Sequence, residues 1–138
     1  MGEFRLLEHT ADMGIEATGA ARAEVFVAAA QGLKQMIFGD ALVTPRQSAP
    51  VSLDGGDAGE LLVAWLGEIL YLFEIRGLVP AEFVINDISE NTLRGEVRGE
   101  PFDPKRHPVE REVKAITYHQ LFVEQEEQGW RARVYVDL

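Results

Sequence analysis

The sequence contains no cysteine. That single absence removes disulfide staples, thiolate metal ligands and cysteine nucleophiles. It is compatible with a cytoplasmic location, where thiols stay reduced and disulfides are rare. No apolar run approaches the roughly 18 residues that a membrane-crossing helix needs, so no membrane association is expected. The opening Met1-Gly2-Glu3-Phe4 lacks the basic and apolar regions of a signal peptide. Leu6 stands where a myristoylation signal would carry Ser or Thr. Positive charge is also scarce: 13 Lys and Arg face 23 Asp and Glu, a net charge of -10. Phosphate backbones attract cationic surfaces, so no direct extended nucleic-acid footprint is expected.

Familiar catalytic spacings are missing too. His9, His107 and His119 show neither HExxH nor a paired i,i+4 arrangement, which speaks against a zinc helix. Ser48, Ser52 and Ser89 have no nucleophile-elbow context. The stretch Asp54-Gly55-Gly56-Asp57-Ala58-Gly59 is glycine-rich, but no Lys-Ser/Thr follows it and its carboxylates repel phosphate.

What is present suffices for one domain. The chain has 138 residues, 46% of them apolar, enough for a core without staples. Phe4-Arg5-Leu6-Leu7 reads as a short strand, and Met13 to Thr18 alternates as a half-buried strand does. From Ala21 to Phe38, Val25, Phe26, Ala29, Leu33, Met36 and Ile37 share one helical face. Gly39 suits the helix end, whereas Gly19-Ala20-Ala21 offers no side-chain cap at its start. Thr44 to Pro50 reads as a loop before a short strand, Val51-Ser52-Leu53. Asp57 and Glu60 have capping-box spacing and open a second helix running to about Arg76. Its wide apolar stripe predicts deep packing against a sheet.

Strands dominate after Pro80: Phe83–Ile88, Leu93–Arg98, Val113–Tyr118, Gln120–Gln125 and a last one from Trp130. Gly99 to Pro108, with Pro101, Pro104 and Pro108, is expected to be irregular. In the last strand Ala132, Val134 and Val136 face one way and Asp137 the other, away from the core. The expected fold is α+β: two layers, a mixed and mainly antiparallel sheet with two helices on one face.

Several groups carry chemistry. Asp12 sits in a loop beside His9 and Thr10; it fits a turn cap, a hard-cation ligand, or half of a His–Asp hydrolase pair. Lys105, Arg106 and His107 make a cationic cluster in the proline-rich segment, which fits an anion or partner surface as well as a stiffened connection. Lys114, on a strand among apolar residues, fits either a counter-charge to an acidic site or a solvated strand-face charge.

Taken together, the segments resemble the archease family. The matching stretches are Glu8-His9-Thr10-Ala11-Asp12-Met13-Gly14-Ile15-Glu16, the helix from Glu60 to Phe73, and Arg98-Gly99-Glu100-Pro101-Phe102-Asp103-Pro104. Arg106-His107-Pro108, Glu112 to His119 and Val136-Asp137-Leu138 complete the set. The first helix departs from the family pattern at its start, Gly19 to Glu24, and Leu138 stands where Ile is frequent.

The resemblance implies a non-catalytic accessory protein for an RtcB-type RNA ligase in tRNA splicing or RNA repair. It would promote the ligase's guanylylation and its multiple turnover. The resemblance also implies a bound calcium, with ligands mapping onto Asp12, Asp137 and the terminal carboxylate of Leu138. A functional lysine maps onto Lys114, and His9 and His107 are expected to face the partner. Two alternatives accompany this expectation: a chaperone-like modulator of a tRNA methyltransferase, and a small metal-dependent phosphoester hydrolase.

Overall fold

The computed structural model describes residues 2–8 and 12–138. The chain begins with two antiparallel strands, β1 (Glu3–Glu8) and β2 (Asp12–Gly19), and then forms α1 (Arg22–Phe38). Next come β3 (Gln47–Asp54), α2 (Ala58–Glu74), β4 (Leu78–Ile88) and β5 (Thr92–Pro101). Three more strands follow: β6 (Ala115–Ile116), β7 (Phe122–Glu126) and β8 (Gly129–Asp137).

Helix boundaries follow their local chemistry. Ala21 begins α1 without a side-chain cap, as its sequence predicts. The helix stops at Gly39, whose φ of 59° is the region that favours glycine. Asp57 caps α2 by accepting from the Glu60 backbone N–H at 2.8 Å. Gly77, at φ +67°, closes that end with its N–H on the Phe73 carbonyl.

The architecture is the expected α+β arrangement, with mainly antiparallel strands and helices packed upon them. The strands divide into a five-stranded sheet, β1-β2-β8-β6 with β7 also on β8, and a three-stranded sheet, β3-β5-β4. The division follows from edge use. One edge of β8 is taken by β2 and the other by β6 and β7, while β3 and β4 take both edges of β5. The helices hold the two sheets together. α1 packs on β1, β2 and β8 of one and β4 of the other; α2 packs on strands of both. This double contact explains why burial on α1 spreads beyond one stripe to Ala28, Ala30 and Phe38. Trp65, fully buried on α2, donates its indole N–H to the Phe26 carbonyl of α1 at 2.9 Å.

Three local expectations are corrected. Ser48, Ala49 and Pro50 are strand, not loop; β3 is an edge strand, where a missing N–H is tolerated. Gly99-Glu100-Pro101 extends β5 because Pro101 is its last residue. The strand expected over Val113–Tyr118 shrinks to Ala115–Ile116, since the chain turns at Tyr118–Leu121 with Gln120 at φ 50°.

Candidate functional site

The β2–β8 register sets Asp12 directly opposite Asp137. In an antiparallel pair, opposed residues carry side chains on the same face, with Cα atoms about 4.5–5.5 Å apart. Asp137 is exposed and Asp12 half-buried, so both carboxylates are reachable from solvent. Their neighbours Val136 and Met13 face the core, which fixes the outward direction of the pair. On the other edge of β8, Ala115 stands opposite Asp137, and the Lys114 backbone N–H donates to the Asp137 carbonyl at 2.8 Å. The side chain of Lys114 is exposed. Leu138 follows, half-buried against the core. Asp12, Asp137, Lys114 and Leu138 therefore gather at one end of the larger sheet.

The wall beside the pair is aromatic. Tyr135 lies opposite Gly14, one outward step from the carboxylates, and is 6% exposed. A Cβ on Gly14 would lie 2.8 Å from Tyr135 Cε1, so the ring occupies space that only glycine leaves open. The imidazole of exposed His119 meets the Tyr135 ring edge-on, with centroids 5.6 Å apart. Thr117 ties the β6 segment down through its N–H and hydroxyl, both donating to the Tyr135 carbonyl at 2.9 Å. Tyr135 and His119 were not among the residues singled out for this site. The available signal was Gly14, a glycine inside an alternating strand, which marks close approach by a neighbour.

Other expected residues lie elsewhere. His9 falls outside the described residues. His107 is corrected: it is 0% exposed and cannot meet a partner. Its Nδ1 accepts from the Asp103 N–H at 3.0 Å, so the proton of the neutral ring is on Nε2. That N–H lies 3.4 Å from Glu100 Oε2, a contact outside good hydrogen-bond geometry. Glu100, 1% exposed, takes the Thr44 N–H at 2.6 Å and two Arg106 bonds at 2.5 and 3.2 Å. The Thr44 N–H, with help from His107 and Arg106, holds its carboxyl below the usual range against the opposing effect of burial. The proline-rich segment is thus pinned from inside, and Arg106 is a lid over a buried carboxylate rather than a free cation.

Asp12 and Asp137 themselves offer oxygen donors only. Two carboxylates facing each other repel unless a cation lies between them. No group of three or more His, Cys, Asp or Glu gathers into a metal cage among the described residues. Two carboxylates alone fall short of the six to eight oxygens that a hard divalent ion such as calcium takes.

Comparisons with known proteins agree over the whole length. Residues 4–138 match the Archease protein family (MTH1598/TM1083). Protein archease from Methanopyrus kandleri is 38% identical over 135 residues, covering 96% of each chain. Its counterpart from Pyrococcus furiosus is 36% identical over 142 residues, covering 100% of each. The solution structure of Methanobacterium thermoautotrophicum protein 1598 matches with a TM-score of 0.80 at 31% identity, over 99% of this chain and 98% of that one. A crystal structure from Thermotoga maritima, described as an archease and possible chaperone, matches with a TM-score of 0.60 at 16% identity, over 97% and 96%. That last likeness bears on the fold alone.

Proposed function

Because this chain belongs to the archease family, we propose that it is a non-catalytic accessory protein of an RtcB-type RNA ligase, promoting the ligase's guanylylation and repeated turnover through a calcium site at Asp12, Asp137 and the carboxylate of Leu138. The observation that carries the reading is the register of β2 on β8, which opposes Asp12 and Asp137 at a solvent-facing sheet end.

The roles divide by residue. Asp12 and Asp137 present oxygens from adjacent strands, so their spacing is set by the sheet rather than by a loop. Calcium, when bound, supplies positive charge that attracts phosphate or carboxylate oxygens. Tyr135 over Gly14 shields one flank from water, and the exposed Lys114, whose backbone N–H is bonded to the Asp137 carbonyl, would offer its ammonium to an anion or a partner carboxylate. The proposed partner-facing surface is this sheet end.

The test is a guanylylation assay of the organism's own RtcB-type ligase, with and without this protein. The wild type raises the extent of guanylylation. Asp12→Ala loses the stimulation while its circular dichroism is unchanged. Full stimulation by that variant overturns the proposal. A chaperone-like role, the description attached to the Thermotoga maritima relative, predicts instead that client aggregation is suppressed equally by both forms.

A further inference from the structure

A second surface lies on α2. The helix carries three charged residues, Glu60, Glu68 and Glu74, and no Lys or Arg. Its buried residues, from Leu61 to Leu72, face strands of both sheets and α1. The apolar residues left open recur at helical steps: Val63, Ala64, Gly67 and Tyr71, with Ile75 at the C-cap. Ile75 keeps helical dihedrals, φ -100° and ψ -40°, so it continues the same line. Tyr71 is 48% exposed and Ile75 69%. A helix that is apolar all round is normally enclosed on every side. α2 has the composition of an enclosed helix, yet the described residues leave one stripe of it open.

Gly67 lies at the middle of that stripe. A Cβ added there would meet nothing within 4 Å outside the helix itself, so no packing inside the molecule asks for glycine. Glycine in a helix interior costs stability relative to alanine, and what it offers in return is close approach by another backbone. Tyr71 and Ile75, one and two turns further on, are apolar side chains of the kind that anchor an interface. Carboxylates border the strip. Glu60 folds back over Gly56 at the helix start. Glu68 and Glu74 have no ion pair or side-chain hydrogen bond among the described residues. They stand about 9 Å apart along the axis. Arg76 follows Ile75 beyond the last turn, where the helix carbonyls attract a cation.

We propose that the open stripe of α2 receives an amphipathic, basic helix of a partner protein, which crosses closely at Gly67, packs on Tyr71 and Ile75, and sets Lys or Arg against Glu68 and Glu74. Charge complementarity selects this occupant. A second copy of the chain is disfavoured: an antiparallel pair centred on Gly67 opposes Glu74 to Glu60 at both ends, and a parallel pair sets like carboxylates side by side. Each copy also carries a net charge of -10. A lipid surface is disfavoured because interfacial helices offer Lys and Arg to anionic headgroups, and α2 has neither. Nucleic acid is disfavoured because phosphates are drawn to the same cations. Recognition of one helix by another reads anchors about a turn apart, the spacing of Gly67, Tyr71 and Ile75.

The test needs no ligase, so it stands or falls apart from the preceding proposal. The intact protein is panned against displayed helical-hairpin miniproteins randomised on one helix face. Enriched faces are expected to hold small or apolar residues at the centre and Lys or Arg at the flanks. A synthetic copy of one winner should shift the amides of residues 63–75. Gly67→Gln, which projects into open space, should melt at or above the wild type yet bind that miniprotein about tenfold or more weakly, a change of about 1.4 kcal/mol. Ile75→Gln, at a largely exposed position, should also keep the melting temperature and weaken binding. Glu68→Gln combined with Glu74→Gln should weaken binding and flatten its salt dependence. No enrichment, winners with acidic flanks, shifts away from α2, or wild-type affinity in these variants would overturn the proposal. A concentration-dependent dimer in sedimentation, lost in Gly67→Gln, would overturn it in favour of a second copy.

Discussion

Neutralising Asp12 should raise stability without calcium and lower it with calcium. In Asp12→Asn one of two opposed carboxylates loses its charge while its shape is kept. Two unit charges about 5 Å apart repel by about 0.8 kcal/mol at the dielectric of water and about 3 kcal/mol at an effective value of 20. Asp137 is exposed and Asp12 half-buried, so the lower end applies, about 1 kcal/mol. For a chain of this length that is about 3–5 °C in melting temperature. With the proposed site present, calcium at about a hundred times its dissociation constant should stabilise the wild type by about 2.7 kcal/mol, or roughly 10 °C. The variant, missing a ligand, should gain far less, so the two melting curves exchange order. Scanning calorimetry in chelator and then in excess calcium measures both differences. Raising sodium chloride to about 1 M, where the Debye length is about 3 Å, should erase the chelator-side gap. If both proteins melt alike in chelator and respond equally to calcium, the opposed pair neither repels nor shares an ion, and the reasoning fails.

Two further outcomes follow from the interior. The Glu100 carboxyl is held below its usual range in the folded chain, chiefly by the Thr44 N–H. Its contribution is therefore complete above the unfolded carboxylate value of about 4.3 and is lost as pH falls through the lower folded value. Glu100→Gln should melt earlier at neutral pH and show a shallower loss of stability on acidification; an acid limb unchanged from wild type would exclude Glu100 from it. Trp65→Phe removes the indole bond to the Phe26 carbonyl and leaves space in a fully buried site, costing about 2–3 kcal/mol. Urea titration should show a lower midpoint with an unchanged slope, and an unmoved midpoint would mean that the α1–α2 tie carries no weight.

Elements with strong periodicity were legible before any coordinates. The Asp57 cap, both helices and the outward direction of Asp137 follow from spacing alone, since each rests on contacts within a few residues. The Asp12–Asp137 register is a long-range fact. Alternation shows which way each strand faces but not which strand lies beside it, and only the family resemblance paired those two residues. The errors cluster where proline and charge were read as surface signals. Pro50 and Pro80 sit inside edge strands, because an edge spares the missing N–H. His107 looked exposed beside Lys105 and Arg106, yet it turns inward onto a carboxylate that is itself buried. A charged residue flanked by glycine and proline gives no local sign of that. The division of the strands into two sheets was equally silent, since it depends on which edges were already taken.

The pairing of residues 12–19 with residues 129–137 also constrains how the protein is made. On a ribosome, the early strand emerges long before its neighbour has been translated. Until then one flank of β2 presents unmet amides and carbonyls beside an apolar face, a state prone to mispairing. The β3-β5-β4 sheet has no such wait, because its partners lie close together along the chain. The smaller sheet with α2 is therefore the half able to take shape on the nascent chain, and the sheet end bearing Asp12 and Asp137 is among the last parts to form.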